Sequence, residues 1–177
     1  MNFLCISVLL SMLVLSTGAR ASETLSDYQL GSGDRIQIQV FNEPDLSMEV
    51  RLSDAGTISY PFLGELRVSG NTVSQLEAQI VSGLIGDYLI DPKVNVAVTE
   101  YRPFYVNGEV ESPGGFPYQP GLTLRKAIAL AGGFTERASK TKITVLSEGA
   151  VDVKQRQISI DEMLIPGDIV TVEQSFF

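Results

Sequence analysis

In the run Arg35-Ile36-Gln37-Ile38-Gln39-Val40, polar and β-branched residues change places at every step. That is the period of a strand with one buried face. Gly31-Ser32-Gly33-Asp34 precedes it and supplies turn chemistry, because glycine admits positive φ and Asp bonds nearby backbone. Short strands are expected over residues 48–68, with a turn at Asp54-Ala55-Gly56. The period then changes. Val73, Leu76, Ile80 and Leu84 recur at helical spacing, and Thr72 with Gln75 has the spacing of a capping box. Gly83 and Gly86 weaken the last turns, and Val94, Val96 and Val98 restore alternation.

A boundary is expected at Tyr101-Arg102-Pro103, beyond which the pattern starts again. A strand is expected in residues 104–110 and a Pro/Gly-rich loop over 111–121. Thr123 then caps a second helix carrying Leu124, Ala127, Ile128 and Ala131. Residues 142–155 read as a hairpin turning at Glu148-Gly149, and a last strand follows Gly167-Asp168. Gly33-Asp34 leading into a β-branched strand is echoed by Gly167-Asp168, a weak internal similarity. The fold class is α+β, with two small mixed units, each a helix covering a mixed sheet.

Gly132 and Gly133 pose a question of their own, since paired glycines can cradle a phosphate or stop a helix. They follow the apolar-periodic run, so they meet its C-terminal end, where free carbonyls and the negative dipole end repel an anion. Glycine in left-handed conformation ends helices in the ordinary way, and Phe134 stands where a hydrophobic residue folds back.

Composition narrows the function. Residues 3–16 are a continuous apolar run, followed by Ala19-Arg20-Ala21. This predicts a signal peptide over residues 1–21, although no Lys or Arg precedes the run. A retained anchor is the other reading, but a span needs about 20 apolar residues. Cys5, the only cysteine, lies in this segment, so neither disulfides nor thiolate chemistry are expected beyond it. The net charge of −8 supplies no basic block to neutralise phosphates, which argues against nucleic acid as a partner. The chain has no His, which removes imidazole bases, Ser-His pairs and His-based zinc sites. No cofactor, metal or catalytic site is expected.

Three sets of residues remain as candidates. Glu109 and Glu111 could form a carboxylate pair on one strand face, as in glycosidases, or a solvated edge. Tyr101, Phe104, Tyr105, Phe116 and Tyr118 could stack on a sugar or a partner, or pack internally. Phe176 and Phe177 would dock in a groove of this fold or on a neighbour.

The motifs "YQLGSGDRIQIQVF", "DAGTISYPFLGELRVSGNT", "LIDPKVNVAVTEY", "VNGEVESPGGFPY", "ALAGGFT" and "PGDIVTVEQSFF" occur in one order along nearly the whole chain after the leader. In that order they resemble the outer-membrane polysaccharide export family. The resemblance implies an export domain over residues 26–101 and a soluble-ligand-binding β-grasp (SLBB) domain over 102–177. It carries over Gly31, Gly33, Asp34, Pro92, Gly108, Pro113, Gly114, Ala131, Gly132, Gly133, Gly167 and Asp168 as scaffold positions rather than catalysts. It further implies a periplasmic protein at the inner face of the outer membrane, working in capsule or exopolysaccharide export. Its implied partners are copies of itself in a ring, an inner-membrane polysaccharide co-polymerase and the polysaccharide cargo. Long members continue into an amphipathic helix that forms the outer-membrane pore. This chain stops at Phe177 and resembles the short class, so it is expected either to use a separate outer-membrane β-barrel partner or to act wholly in the periplasm. The competing expectation is a monomeric periplasmic module that captures a small ligand or glycan.

Overall fold

A computed structural model describes residues 28–147 and 155–175. The expected leader, the hairpin turn at Glu148-Gly149 and the terminal Phe176 and Phe177 lie outside the described residues. Two hydrophobic cores form, one from residues between Leu30 and Val96 and one from residues between Phe104 and Val172.

In the first unit β1 (Arg35–Val40) is the middle strand. β2 (Met48–Arg51) and β5 (Val94–Glu100) pair with it on either side, both antiparallel. A 3-10 turn, Pro44–Leu46, joins β1 to β2. β3 (Thr57–Tyr60) and β4 (Gly64–Arg67) form a separate hairpin. The alternation of β1 sends Ile36, Ile38 and Val40 into the core beside Leu76, Ile80 and Leu84 of α1 (Val73–Leu84). Burying side chains of this size stabilises by about 1.5–3 kcal/mol each relative to exposure. α1 starts where the spacing predicts. The Gln75 amide donates to Thr72 Oγ1 at 3.3 Å, and the Thr72 amide donates to Gln75 Oε1 at 2.8 Å. Glu77 of the same helix accepts from the Val96 amide at 2.8 Å, satisfying a donor on edge strand β5.

The second unit is a five-stranded sheet in the order β7-β6-β10-β8-β9. Its strands are β6 (Phe104–Gly108), β7 (Gly114–Phe116), β8 (Ala138–Leu146), β9 (Arg156–Gln157) and β10 (Ile169–Gln174). The last strand is the central one, parallel to β6 and antiparallel to β8. α2 (Leu124–Leu130) buries Leu124, Ala127 and Ile128 against Phe104, Val106, Ile143, Val145, Val170 and Val172.

Three expectations change. The first sheet is wholly antiparallel rather than mixed, because the chain returns to β1 from α1 in the opposite sense. Part of the expected loop 111–121 is a strand: β7 pairs with β6, placing Phe116 opposite Phe104 with ring centroids 5.7 Å apart. Glycine's poor strand propensity is overridden there, since the Tyr105 ring lies over Gly115, where an added Cβ would come within 2.9 Å. β8 also begins at Ala138, earlier than the apolar pattern marks, and pairs with β10 through an irregularity near Val172.

Candidate functional site

The two Gly-Asp turns are built alike. In the first, the Asp34 amide donates to the Gly31 carbonyl at 3.1 Å and Asp34 Oδ2 accepts from the Gly31 amide at 2.8 Å. In the second, the Asp168 amide donates to Ile165 O at 3.2 Å and Asp168 Oδ2 accepts from the Ile165 amide at 2.9 Å. Gly33 and Gly167 precede the aspartates with φ of 89° and 88°. Both carboxylates are buried, at 0% and 1% exposure. A buried carboxylate needs partners for its lone pairs, and local amides supply the first of them.

The remaining partners differ. Asp34 Oδ1 accepts from the Arg102 amide at 2.8 Å, and Oδ2 accepts from the Tyr28 hydroxyl at 2.5 Å and Arg102 Nη1 at 3.3 Å. The Arg102 guanidinium also lies 5.8 Å from the centroid of the Tyr28 ring. It covers Gly31 so closely that a Cβ there would sit 2.0 Å from Nη1. Tyr28 meets Tyr101 edge-on at 5.2 Å, Tyr101 meets Tyr118 at 5.5 Å, and the Tyr118 hydroxyl donates to Leu164 O at 3.1 Å. Burial and the adjacent Asp34 push the Tyr28 hydroxyl well above its ordinary pKa, and burial raises those of Tyr101 and Tyr118. These hydroxyls therefore stay protonated donors. The cluster ties the start of the fold, the first turn and the junction segment to the second unit.

Among the described residues, Asp168 has no guanidinium in direct contact. Its Oδ1 accepts from the Ser147 hydroxyl at 2.6 Å. Burial raises its pKa, opposed by the Ser147 and Ile165 hydrogen bonds and by the fields of Arg156 and Arg102.

The other expected scaffold positions lie at the ends of strands and of α2. Gly108 has φ 85° and faces the Val172 carbonyl; an added Cβ would lie 2.1 Å from that oxygen. Ala131 caps α2, and the Gly132 and Gly133 amides donate to Ala129 O and Ile128 O at 3.1 and 2.9 Å. The Ser112 and Glu111 amides donate in turn to Ala131 O and Gly133 O at 2.8 and 3.1 Å, so the helix end is sealed by the β6–β7 connection. Phe134 folds against the second core. Pro92 is buried before β5, while Pro113 is exposed just ahead of Gly114 at the start of β7.

Glu109 and Glu111 do not share a strand face, because β6 ends at Gly108. Glu109 accepts from Thr135 Oγ1 at 2.6 Å and pairs with Arg137 at 3.5 Å, while Glu111 is exposed. Of the aromatic candidates, Phe104, Phe116, Tyr101 and Tyr118 pack internally, and Tyr105 stays exposed. Among the described residues no three acidic or Cys side chains gather to hold a metal, and no helix is long and apolar enough to cross a membrane.

One surface is barely marked in the sequence pattern. Phe41 (69% exposed), Phe62, Tyr88 and Ile90 (96%) stand in solvent at one end of the first unit, with Phe62 stacked on Tyr88 at 4.9 Å. Phe62 and Asn42 hold positive φ of 63° and 62°, ordinary for Asn but strained for the bulky Phe. Open grooves of about 470 and 510 Å³ share Phe41 and Lys93. The one legible signal is Phe41 itself, which occupies the polar phase set by Gln37 and Gln39.

Comparison with known proteins completes the picture. The sequence profile of the family described as polysaccharide biosynthesis/export protein matches residues 22–99, and that of the SLBB domain matches residues 103–159. The exopolysaccharide production protein ExoF of Rhizobium meliloti (strain 1021) is 31% identical over 171 residues, covering 86% of this chain and 40% of that protein. The EPS I polysaccharide export outer membrane protein EpsA of Ralstonia nicotianae is 28% identical over 181 residues, covering 83% of this chain and 47% of its own. The polysialic acid transport protein KpsD of Escherichia coli is 30% identical over 122 residues, 67% of this chain and 22% of that protein. The chain thus spans less than half the length of these relatives. Two profiles in tandem, in the order in which the two units fold, and relatives that span both give one conclusion: the chain belongs to the outer-membrane polysaccharide export family.

Proposed function

We propose that this chain is a periplasmic component of a capsule or exopolysaccharide export machine. In this reading copies assemble into a ring at the inner face of the outer membrane and form part of the wall around the polymer's path. An inner-membrane polysaccharide co-polymerase delivers the polymer, and a separate outer-membrane β-barrel completes the route. The twelve Gly, Ala, Pro and Asp positions carried over from the family act as scaffold. The observation that carries the reading is the tandem of export and SLBB profiles along one chain. The Arg102 cluster supports it physically: a wall module needs its two units held at a fixed angle, and a buried ion pair with edge-packed aromatics supplies that rigidity.

Deletion of the gene tests the proposal. The expected result is loss of surface polysaccharide while lipid-linked precursors are still made. Unchanged surface polysaccharide would sink the export reading. Mass measurement of the purified protein, with and without membrane extract, tests the ring. A strict monomer holding a stoichiometric small ligand would favour the module reading instead.

A further inference from the structure

α1 covers one face of the β2-β1-β5 sheet, and among the described residues the other stays open. Gln37 and Gln39 of β1, Glu49 and Arg51 of β2, and Asn95, Ala97 and Thr99 of β5 are all exposed there. The register sets Gln39 opposite Asn95 and Gln37 between Glu49 and Ala97. The charged members neutralise one another: Arg35 pairs with Glu49 at 3.9 Å and Glu100 at 3.3 Å, and Arg51 pairs with Glu100 at 3.0 Å. On a chain of net charge −8 this face therefore does not repel an acidic polymer. Phe41 ends the amide row, its amide bonded to Lys93 O at 2.9 Å, and lines a groove with Gln39, Lys93 and Asn95.

From this arrangement we propose that the open sheet face binds glycan, with Phe41 as the platform for a sugar ring. The apolar C–H face of a pyranose packs on an aromatic ring, while its hydroxyls need groups that both donate and accept. The Gln39 and Asn95 amides offer both, side by side. Lys93 adds a cation within reach of a sugar carboxylate. A protein partner fits less well, because a stable interface needs about 800 Å² per side around an apolar centre. Here the middle of the face is the polar row of Gln37, Gln39, Glu49 and Asn95, and the exposed Phe41, Phe62, Tyr88 and Ile90 lie at its edge rather than at its centre. A lipid surface would favour basic residues beside the apolar ones, whereas Glu43 and Asp91 rim the adjoining groove. Shallow, single-ring contacts give weak binding, which lets a moving polymer leave each site. The inference deepens the export reading and rests on it.

The test is saturation-transfer NMR on the purified full chain with two probes, maltoheptaose (neutral) and tetragalacturonate (acidic). Transfer to at least one probe is expected. It should fall about tenfold in Phe41→Ala and in the double variant Gln39→Ala/Asn95→Ala, and stay unchanged in Leu130→Ala, an exposed site on α2. Circular dichroism confirms that each variant folds. No transfer to either probe, or transfer undiminished in Phe41→Ala, overturns the proposal. If Phe41→Ala fails to restore surface polysaccharide in the deletion strain while neither probe binds, the face is a protein contact. The glycan inference then falls and the export reading stands. Unchanged surface polysaccharide after gene deletion removes the export reading itself, whatever the probes show.

Discussion

Asp34 and Asp168 occupy equivalent turns and differ in their partners, and the difference is measurable. Asp34→Ala takes the carboxylate from Arg102, which is almost buried, and leaves the Tyr28 hydroxyl without its acceptor. Breaking a buried pair from one side costs about 3–5 kcal/mol, which a urea unfolding curve will register. A loss below about 1 kcal/mol would mean that water replaces the carboxylate. Asp168 responds to pH. Its pKa is raised above the ordinary 3.8, so the folded chain binds this proton more tightly than the unfolded one. Its favourable contribution is complete below the unfolded value and is lost as pH rises through the folded value. The urea midpoint of the wild type, relative to Asp168→Asn, should therefore fall as pH rises above about 4. A difference that does not change with pH refutes the burial argument.

Elements are fixed by their ends. The α1 cap was legible, because a capping box is a local arrangement of residues three apart. Thr72→Ala should cost about 1 kcal/mol of stability by thermal unfolding, and less if Gln75 alone holds the helix start. The end of α2 was legible as well, since the left-handed turn that stops a helix asks for glycine directly after the apolar run. Gly132→Ala should cost more than Gly133→Ala, because its Cβ would meet Glu111 Cβ at 2.9 Å while Gly133 faces open space. Each carries the left-handed penalty of about 1–2 kcal/mol, and equal losses would dissociate the cap from its seal. Gly108 could not be read in this way. Its need for hydrogen in place of a side chain comes from Val172, a residue far along the chain. Gly108→Ala should cost about 2–4 kcal/mol, measured by denaturant midpoint, by pushing β6 from β10.

The molecule as a whole joins two units through a segment that local patterns mark only as a break. Tyr101-Arg102-Pro103 interrupts the alternation, which on the sequence alone signals a boundary. In the fold Arg102 reaches back to Asp34 while Tyr101 bridges Tyr28 and Tyr118, so the break is also the joint. The aromatics divide in the same manner. Phe104 and Phe116 could be named as a cluster, but their burial, and the openness of the face that carries Phe41, depended on which elements became neighbours.

The amino-acid sequence by itself determined the α+β class, the positions of both helices and their caps, and β1 with its buried phase. All of these rest on interactions within a few residues. It also carried the ordered turn motifs that identify the family, because a turn's φ requirement is local. Tertiary structure alone decided that β10 becomes the central strand, that β7 forms from glycines, and that Arg102 pairs with Asp34. It also decided which face of the first sheet stays open. Those outcomes depend on contacts between residues distant in the chain, and short-range periodicity cannot encode which strand, carboxylate or ring will arrive opposite another.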